Sequence, residues 1–142
     1  MNLELIQEMW EKDSNINDLE LDRESLDIPK LHSKYYRLYN EFLLLKKKSE
    51  FDYKVLFKDK WQYYSGKAPS EVYRENPFDH KVLKNDLNIY LDSDEDIARL
   101  SLKIEYQNCV LSYLESILKV ISNRSFQIKN AIEWKKFIEG VT

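Results

Sequence analysis

Lysines and aromatic residues are interleaved from Lys46 to Tyr64, in a stretch that contains no glycine or proline. A helix turning 100° per residue would place one set of them on a narrow arc: Lys46, Tyr53, Phe57, Lys60 and Tyr64. The neighbouring arc would hold Lys47, Lys54, Lys58 and Trp61, with Lys67 just beyond the stretch. Ammonium groups contact phosphates while flat rings stack on unpaired bases. This mixture is therefore typical of a surface that binds single-stranded nucleic acid.

Two other interpretations of the same stretch remain open. A lysine-rich helix face is often simply solvated, and aromatic residues at steps of four, here Tyr53, Phe57 and Trp61, are often core residues. A cationic face can also bind an acidic protein. The pattern alone does not decide among these three.

Two enzyme-like motifs are incomplete. Ser65-Gly66-Lys67 resembles the end of a phosphate-binding loop, but that loop needs Gly where Trp61 stands and Ser or Thr where Ala68 stands. A calcium loop beginning at Asp92 would have Ile97 at its glycine position and Lys103 at its bidentate ligand. Neither nucleotide hydrolysis nor calcium binding is predicted.

The remaining reactive side chains form no site either. His32 and His80 lack the spacing of a metal pair, and the single cysteine, Cys109, is expected to be buried on an apolar helix face. We therefore predict that the protein is not an enzyme and uses no metal or cofactor.

Composition limits the fold class. The 142 residues include only two Gly and three Pro but ten Tyr, six Phe and three Trp, which argues against turn-rich β folds and against disorder. We expect a mostly α-helical chain with few, long elements. One cysteine, no signal peptide and no membrane-spanning apolar stretch predict a cytoplasmic protein.

Charge is unevenly distributed although the net charge is only −3. Residues 1–30 contain nine acidic and three basic side chains, whereas residues 31–67 contain nine basic and four acidic ones. Because fields fade over about 8 Å at physiological salt, an anionic partner would respond to the local positive charge.

The first half of the chain is predicted to hold two helices. A short one covers about residues 3–13, and a long one runs from Pro29 or Ser33 to Tyr64, with Gly66 as a left-handed cap. No structure is assigned to the acidic residues 19–30. Residues 65–92 are expected to be irregular, with a short extended piece at 86–91.

A second long helix is predicted from Asp94 to about Ser122, opened by a capping box of Ser93 and Asp96. Its apolar seam alternates steps of three and four: Ile97, Leu100, Ile104, Gln107, Leu111, Leu114, Leu118 and Ile121. This wide face fits either the core of a monomeric bundle or a self-association surface, in which Gln107 would set the register. A last helix covers about residues 126–138 and adds Trp134 and Phe137 to the predicted oligomerisation residues.

Two segments resemble the UvsY family of recombination mediators of T4-like bacteriophages. One is Lys58-Asp59-Lys60-Trp61-Gln62-Tyr63-Tyr64-Ser65-Gly66, where a basic pair precedes a Tyr-Tyr-Ser-Gly turn. The other is Ser122-Asn123-Arg124-Ser125-Phe126-Gln127-Ile128-Lys129, which is similar to the family's break between its last two helices. Weaker similarity runs along the first long helix.

The resemblance implies a non-enzymatic helper of homologous recombination. Such proteins bind single-stranded DNA, loosen the coat of the phage single-stranded-DNA-binding protein and help the RecA-like recombinase UvsX to form its filament. The resemblance also implies a homo-oligomeric ring, a hexamer or heptamer, assembled through the C-terminal part. The family's DNA-contacting basic pair would be Lys58 and Lys60, although Asp59 lies between them and Lys replaces a possible Arg at position 60.

We therefore predict a DNA-binding and partner-docking part at residues 1–92 and a helical oligomerisation part at residues 93–142, in the cytoplasm of a phage-infected bacterium. The predicted nucleic-acid-binding residues are Lys46, Lys47, Lys54, Lys58, Lys60, Trp61, Tyr64, Lys67 and Arg74. The alternatives are a helical oligomeric scaffold that bridges proteins without touching DNA, and an RNA-binding assembly factor.

Overall fold

The computed structural model describes residues 1–140, which form seven helices and no strand. The helices are α1 (Leu3–Asp13), α2 (Leu21–Leu26), α3 (Ile28–Tyr64), α4 (Ser70–Glu75), α5 (Leu87–Asp92), α6 (Glu95–Ser122) and α7 (Arg124–Ile138). The predicted fold class, mostly α with two long helices, is confirmed. Within residues 1–140 no helix is both long enough and apolar enough to cross a bilayer.

The chain folds into two compact units. The first contains Met1–Leu43 together with the chain from Cys109 onward, and the second contains Leu44–Asn108. Helices α3 and α6 contribute residues to both units. The functional boundary predicted between residues 92 and 93 does not coincide with the division between these two units, and it stays a prediction.

The core of the first unit is formed where α1, α3 and α6 bring their apolar faces together. Its fully buried residues include Ile6 of α1, Tyr35 of α3 and Leu114 and Ile121 of α6. Burying each such aliphatic side chain stabilises the fold by about 1.5–3 kcal/mol. Most of the predicted α6 seam therefore packs inside one chain.

A buried arginine joins the start of α7 to the N-terminal segments. Arg124 is only 4% exposed, and its guanidinium donates to the backbone oxygens of Asp13 (3.2 Å) and Asn15 (3.1 Å) and to Glu24 Oε2 (2.9 Å). A buried charge is tolerated when it is paired and its donors are satisfied in this way. The Asn123-Arg124-Ser125 segment thus connects the start of α7 to the N-terminal segments through the hydrogen bonds of Arg124.

The second unit has a smaller core of Leu87, Leu91 and Ile97, against which Tyr53, Leu56 and other half-buried residues pack. Helix α5 covers Leu87–Asp92, and Leu87 and Leu91, one helical turn apart, both face this core. The extended piece predicted at residues 86–91 is therefore wrong.

The C-terminus of α3 is closed by a Schellman cap. Gly66 has φ of 78°, its N–H donates to the Tyr63 oxygen (3.3 Å), and the Lys67 N–H donates to the Gln62 oxygen (2.8 Å). The predicted left-handed cap at Gly66 is confirmed.

The start of α6 is capped by a residue other than the predicted one. Asp94 Oδ1 accepts hydrogen bonds from the N–H groups of Asp96 (2.9 Å) and Ile97 (3.0 Å), whereas the Ser93 hydroxyl donates to the Ile89 oxygen (2.7 Å). The predicted Ser93–Asp96 capping box is therefore wrong. Asp94 caps better because a carboxylate makes stronger bonds to the helix N-terminus than a hydroxyl does.

Three smaller expectations also differ from the structure. The acidic segment 19–30, left without structure, contains α2 and the beginning of α3, and α7 begins at Arg124 rather than Phe126. Cys109, expected to be buried, is exposed. Val110 and not Cys109 takes the core position at this turn of α6.

Candidate nucleic-acid interface

Five exposed side chains line one face of α3 within the second unit. They recur at steps of four and three, which confines them to an arc of about 80°. They are Lys47, Phe51, Lys54, Lys58 and Trp61, hereafter the basic-aromatic stripe. Every member is exposed, so cations and rings are accessible along the same face.

The ammonium groups of the stripe are only weakly paired. Lys58 is 64% exposed at its side chain and lies 3.7 Å from Asp59, and Lys47 lies 3.8 Å from Glu50. Exposed pairs of this kind contribute about 0–1 kcal/mol, so a phosphate can replace the carboxylate at little cost. Among residues 1–140, Lys54 has no ion-pair partner.

Lys67 lies beside the C-terminal end of the stripe. The turn at Gly66 returns the chain over α3, and Lys67 Nζ lies 4.7 Å from the centre of the Trp61 ring. A cation over an indole face is attracted to the ring. One cation and one aromatic face are therefore adjacent at this end of the stripe.

Phe51 is the residue that the sequence analysis missed. It is 66% exposed and lies four residues after Lys47 and three before Lys54. An exposed phenyl ring between two lysines provides a second stacking surface on the stripe. Its spacing from the lysines was the available signal.

Lys60 has a different environment from Lys58, although only Asp59 separates them. Its ammonium lies 2.8 Å from Asp96 Oδ2 and 3.2 Å from Asp94 Oδ2, and its side chain is 23% exposed. Burial alone would lower the pKa of Lys60, but the hydrogen bonds that its ammonium donates to Asp96 and Asp94 outweigh it and the pKa is raised. A phosphate could reach Lys60 only by replacing this acidic pair.

Asp94 is the centre of that network. Its carboxylate accepts from the Tyr64 hydroxyl at 2.5 Å, in addition to capping α6 and pairing with Lys60. Burial would raise the pKa of Asp94, but the hydrogen bonds from Tyr64, the Ile97 N–H and Lys60 outweigh it and the pKa is lowered. Burial and the bond to Asp94 raise the pKa of the Tyr64 hydroxyl.

The two tyrosines before Gly66 belong to an aromatic cluster of the second unit. Tyr63 stacks on Tyr73 with ring centres 5.5 Å apart, and Phe78 lies edge-on to Tyr64 at 5.2 Å. The Tyr73 hydroxyl also donates to the Tyr63 oxygen at 2.8 Å. These contacts hold the 65–92 connector against the end of α3, so the Tyr-Tyr-Ser-Gly segment has a structural role here.

The other predicted nucleic-acid residues lie outside the stripe. Lys46 is partly buried and pairs with Glu50 at 3.5 Å, and Arg74 is exposed on the short helix α4. Of the two arcs predicted for α3, the one containing Tyr53 and Tyr64 therefore packs inward, and the one containing Lys54, Lys58 and Trp61 faces solvent.

The predicted oligomerisation residues fall into two groups. Those of α6 are mostly internal: Ile97, Gln107, Leu111, Leu114 and Ile121 are buried, and Leu100, Ile104 and Leu118 are half-buried. Trp134 and Phe137 of α7 are 61% and 74% exposed, with ring centres 5.6 Å apart. Within residues 1–140, the Gln107 Oε1 atom is buried without a hydrogen-bond partner.

No group of three or more His, Cys, Asp or Glu side chains within residues 1–140 is placed to hold a metal ion. The stripe offers ammonium groups that can pair with anions and aromatic rings on which other rings can stack.

Comparison with known proteins agrees with this chemistry. The family model described as "Recombination, repair and ssDNA binding protein UvsY" matches residues 9–141. The chain is 25% identical over 140 residues to the recombination protein uvsY of Enterobacteria phage T4, covering 99% of each chain.

Crystal structures of the bacteriophage T4 recombination mediator protein UvsY have a similar fold. The lattice type II structure has a TM-score of 0.85 at 25% identity and covers 98% of each chain. The lattice type IV structure has a TM-score of 0.82 at 24% identity and covers 96% of this chain and 98% of that chain. Because the family model spans nearly the whole sequence, this chain belongs to the UvsY family of recombination, repair and single-stranded-DNA-binding proteins.

Proposed function

We propose that this protein is a non-enzymatic recombination mediator that binds single-stranded DNA through the basic-aromatic stripe. The observation that carries the proposal is the joint exposure of Lys54 and Lys58 with Phe51 and Trp61 on one face of α3. Phosphates would contact the ammonium groups while unpaired bases stack on the rings, without sequence readout. Duplex DNA would offer the phosphates but not the base faces.

The assignment of individual contacts follows exposure. Lys47, Lys54, Lys58 and Lys67 are proposed to contact phosphates, and Phe51 and Trp61 to stack on bases. Lys60 and Tyr64 are proposed to support the surface through Asp94, because their polar atoms are already paired within the second unit.

One stripe with about four phosphate contacts gives a log–log salt slope of about −3 on single strands, which is modest. We infer that the protein forms a homo-oligomeric ring of six or seven copies, in which linked stripes raise avidity by roughly 10²–10⁴. The exposed apolar residues of α7, among them Trp134 and Phe137, are the proposed contact surface between copies.

The proposed role in the infected bacterial cytoplasm has three parts. The assembly would hold the single strand, weaken the coat of the phage single-stranded-DNA-binding protein, and position the strand for a RecA-like recombinase of the UvsX type. Membership in a recombination and repair family supports this role. It requires no cofactor and no catalytic residue.

The test is fluorescence anisotropy of a labelled oligonucleotide at several salt concentrations. Lys54→Ala with Lys58→Ala should weaken binding and reduce the steepness of the salt slope by about 1.4, because two phosphate contacts are lost. Lys48→Ala is the matched control, since this exposed lysine also lies on α3 but 100° away from Lys47.

The rings are tested separately. Phe51→Ala or Trp61→Ala should cost about 1–3 kcal/mol per lost base stack and leave the salt slope unchanged. Light scattering must give the same particle mass for all variants. Unchanged binding by the lysine double variant would overturn the proposal and favour the protein-bridging scaffold. Preferential competition by RNA over DNA would favour an RNA-binding factor.

A further inference from the structure

A groove of about 740 Å³ lies between α1 and the first half of α3, within the first unit. Half-buried residues that pack on the core, Met9, Leu31 and Leu38, form its floor. Since the floor is aliphatic and thioether in character, it suits apolar side chains. Methionine adapts its shape to irregular partners, which favours a peptide as occupant.

Cations line one edge of this groove. Lys30, Lys34 and Arg37 occur at steps of four and three on α3 and so lie along one side of the helix. Lys34 is already paired with Asp13 at 2.5 Å. Among residues 1–140, Lys30 and Arg37 have no ion-pair partner, so both can pair with the carboxylates of a ligand.

We propose that this groove binds an acidic amphipathic peptide segment of a partner protein. The apolar side chains of the segment would rest on Leu31 and Leu38, and its carboxylates would pair with Lys30 and Arg37. Arginine suits this role because its planar guanidinium binds a carboxylate through two parallel hydrogen bonds. The proposal concerns the first unit and does not depend on strand binding by the stripe.

A peptide fits the groove better than a nucleic acid does. No aromatic ring is among the residues that line it, so bases would find no stacking surface. Asp27 also lines it, and its carboxylate can accept hydrogen bonds from peptide N–H groups, which a phosphate backbone lacks.

The experiment measures the anisotropy of a fluorescein-labelled synthetic peptide that carries leucines among aspartates and glutamates. The full-length protein should bind it, and Lys30→Glu with Arg37→Glu should weaken binding by about tenfold or more, since two charge-assisted contacts become repulsive. Lys48→Glu with Lys129→Glu is the control. It makes the same charge change at two exposed lysines outside the groove and should leave binding nearly unchanged.

A second peptide separates the groove from general charge attraction. Replacing its leucines by serine at constant charge should also weaken binding by about tenfold, because the floor then buries no apolar surface. Far-UV circular dichroism must show that each variant is folded.

Three results would overturn the proposal. They are undiminished peptide binding by the groove double variant, equal loss in the control, and equal affinity for the leucine-free peptide. If the groove variant instead loses oligonucleotide binding and keeps the peptide, the groove belongs to a nucleic-acid surface and the proposal is wrong.

Discussion

Lys58 and Lys60 show how about half a helical turn places two neighbouring cations in different environments. Two positions along a helix are 200° apart in direction, so Lys58 faces solvent while Lys60 reaches the acidic start of α6. The sequence analysis placed them in adjacent arcs but could not show which arc was buried. The partners of Lys60, Asp94 and Asp96, are more than thirty positions away in the sequence.

At the residue scale, we predict that Asp94 contributes to stability in a pH-dependent way. Its pKa is lowered below the usual 3.8 in the folded state, so its contribution is present above that value and is lost as the pH falls through the folded pKa. Asp94→Asn should lower the free energy of unfolding at pH 7 by about 2 kcal/mol. Urea unfolding curves recorded from pH 7 to pH 3 measure both the loss of stability at pH 7 and its dependence on pH.

The variant should therefore lose less stability than the wild type between pH 5 and pH 3. Asp92→Asn, which changes an exposed carboxylate just before the cap, should keep the wild-type pH dependence. If Asp94→Asn also keeps the wild-type pH dependence of stability, the Asp94 carboxylate is not the stabilising group.

At the scale of elements, periodic patterns and caps predicted the long helices well. The ends of α3 and α6 agree with expectation because glycine-poor runs propagate until Gly66 or Asn123. The six-residue helices α2, α4 and α5 were not predicted, since so short a window does not separate a helical repeat from an alternating one. Contacts distant in sequence, such as those of Arg124, leave no local signal.

The site was predicted to a similar extent. A helical projection grouped Lys54, Lys58 and Trp61 correctly, but burial of Tyr64 and Lys60 depends on packing against α5 and α6, which no local pattern contains. Phe51 lies outside the series of rings at steps of four that begins at Tyr53, so that series does not predict it. Its position relative to Lys47 and Lys54 would have indicated it.

A second prediction concerns the cap of α3. Gly66→Ala should lower the free energy of unfolding by about 1–2 kcal/mol, because alanine is strained at φ of 78°. An added Cβ would meet no atom within 4 Å, so the whole cost is conformational. Gly66→Asn should cost less, since asparagine tolerates the left-handed region. Equal losses in guanidinium unfolding curves would argue against this explanation.

At the scale of the whole molecule, apolar surface is buried and exposed in different places from those a heptad pattern suggests. The apolar seam of α6 is largely buried within the chain, whereas Trp134, Phe137 and Ile138 of α7 are exposed. Substituting Leu111 or Leu114 with a charge would therefore disrupt the core and would not report on assembly alone.

The cleaner prediction is that Trp134→Glu with Phe137→Glu produces a smaller particle by light scattering while the circular dichroism spectrum stays helical. Lys129→Glu with Lys136→Glu, on another side of α7, should retain the wild-type mass. A full-sized particle from the aromatic double variant would show that copies do not meet through these rings.

The first unit is discontinuous in sequence, and this has a consequence for biosynthesis. Residues 1–43 leave the ribosome before their packing partners, which begin at Cys109, have been translated. At about 5–20 residues per second, the nascent segment waits on the order of several seconds with Tyr35 and Phe42 uncovered. The intervening Leu44–Asn108 region is contiguous and can close around Leu87, Leu91 and Ile97 during that interval. Translation order thus favours completion of the second unit before the unit that contains Arg124.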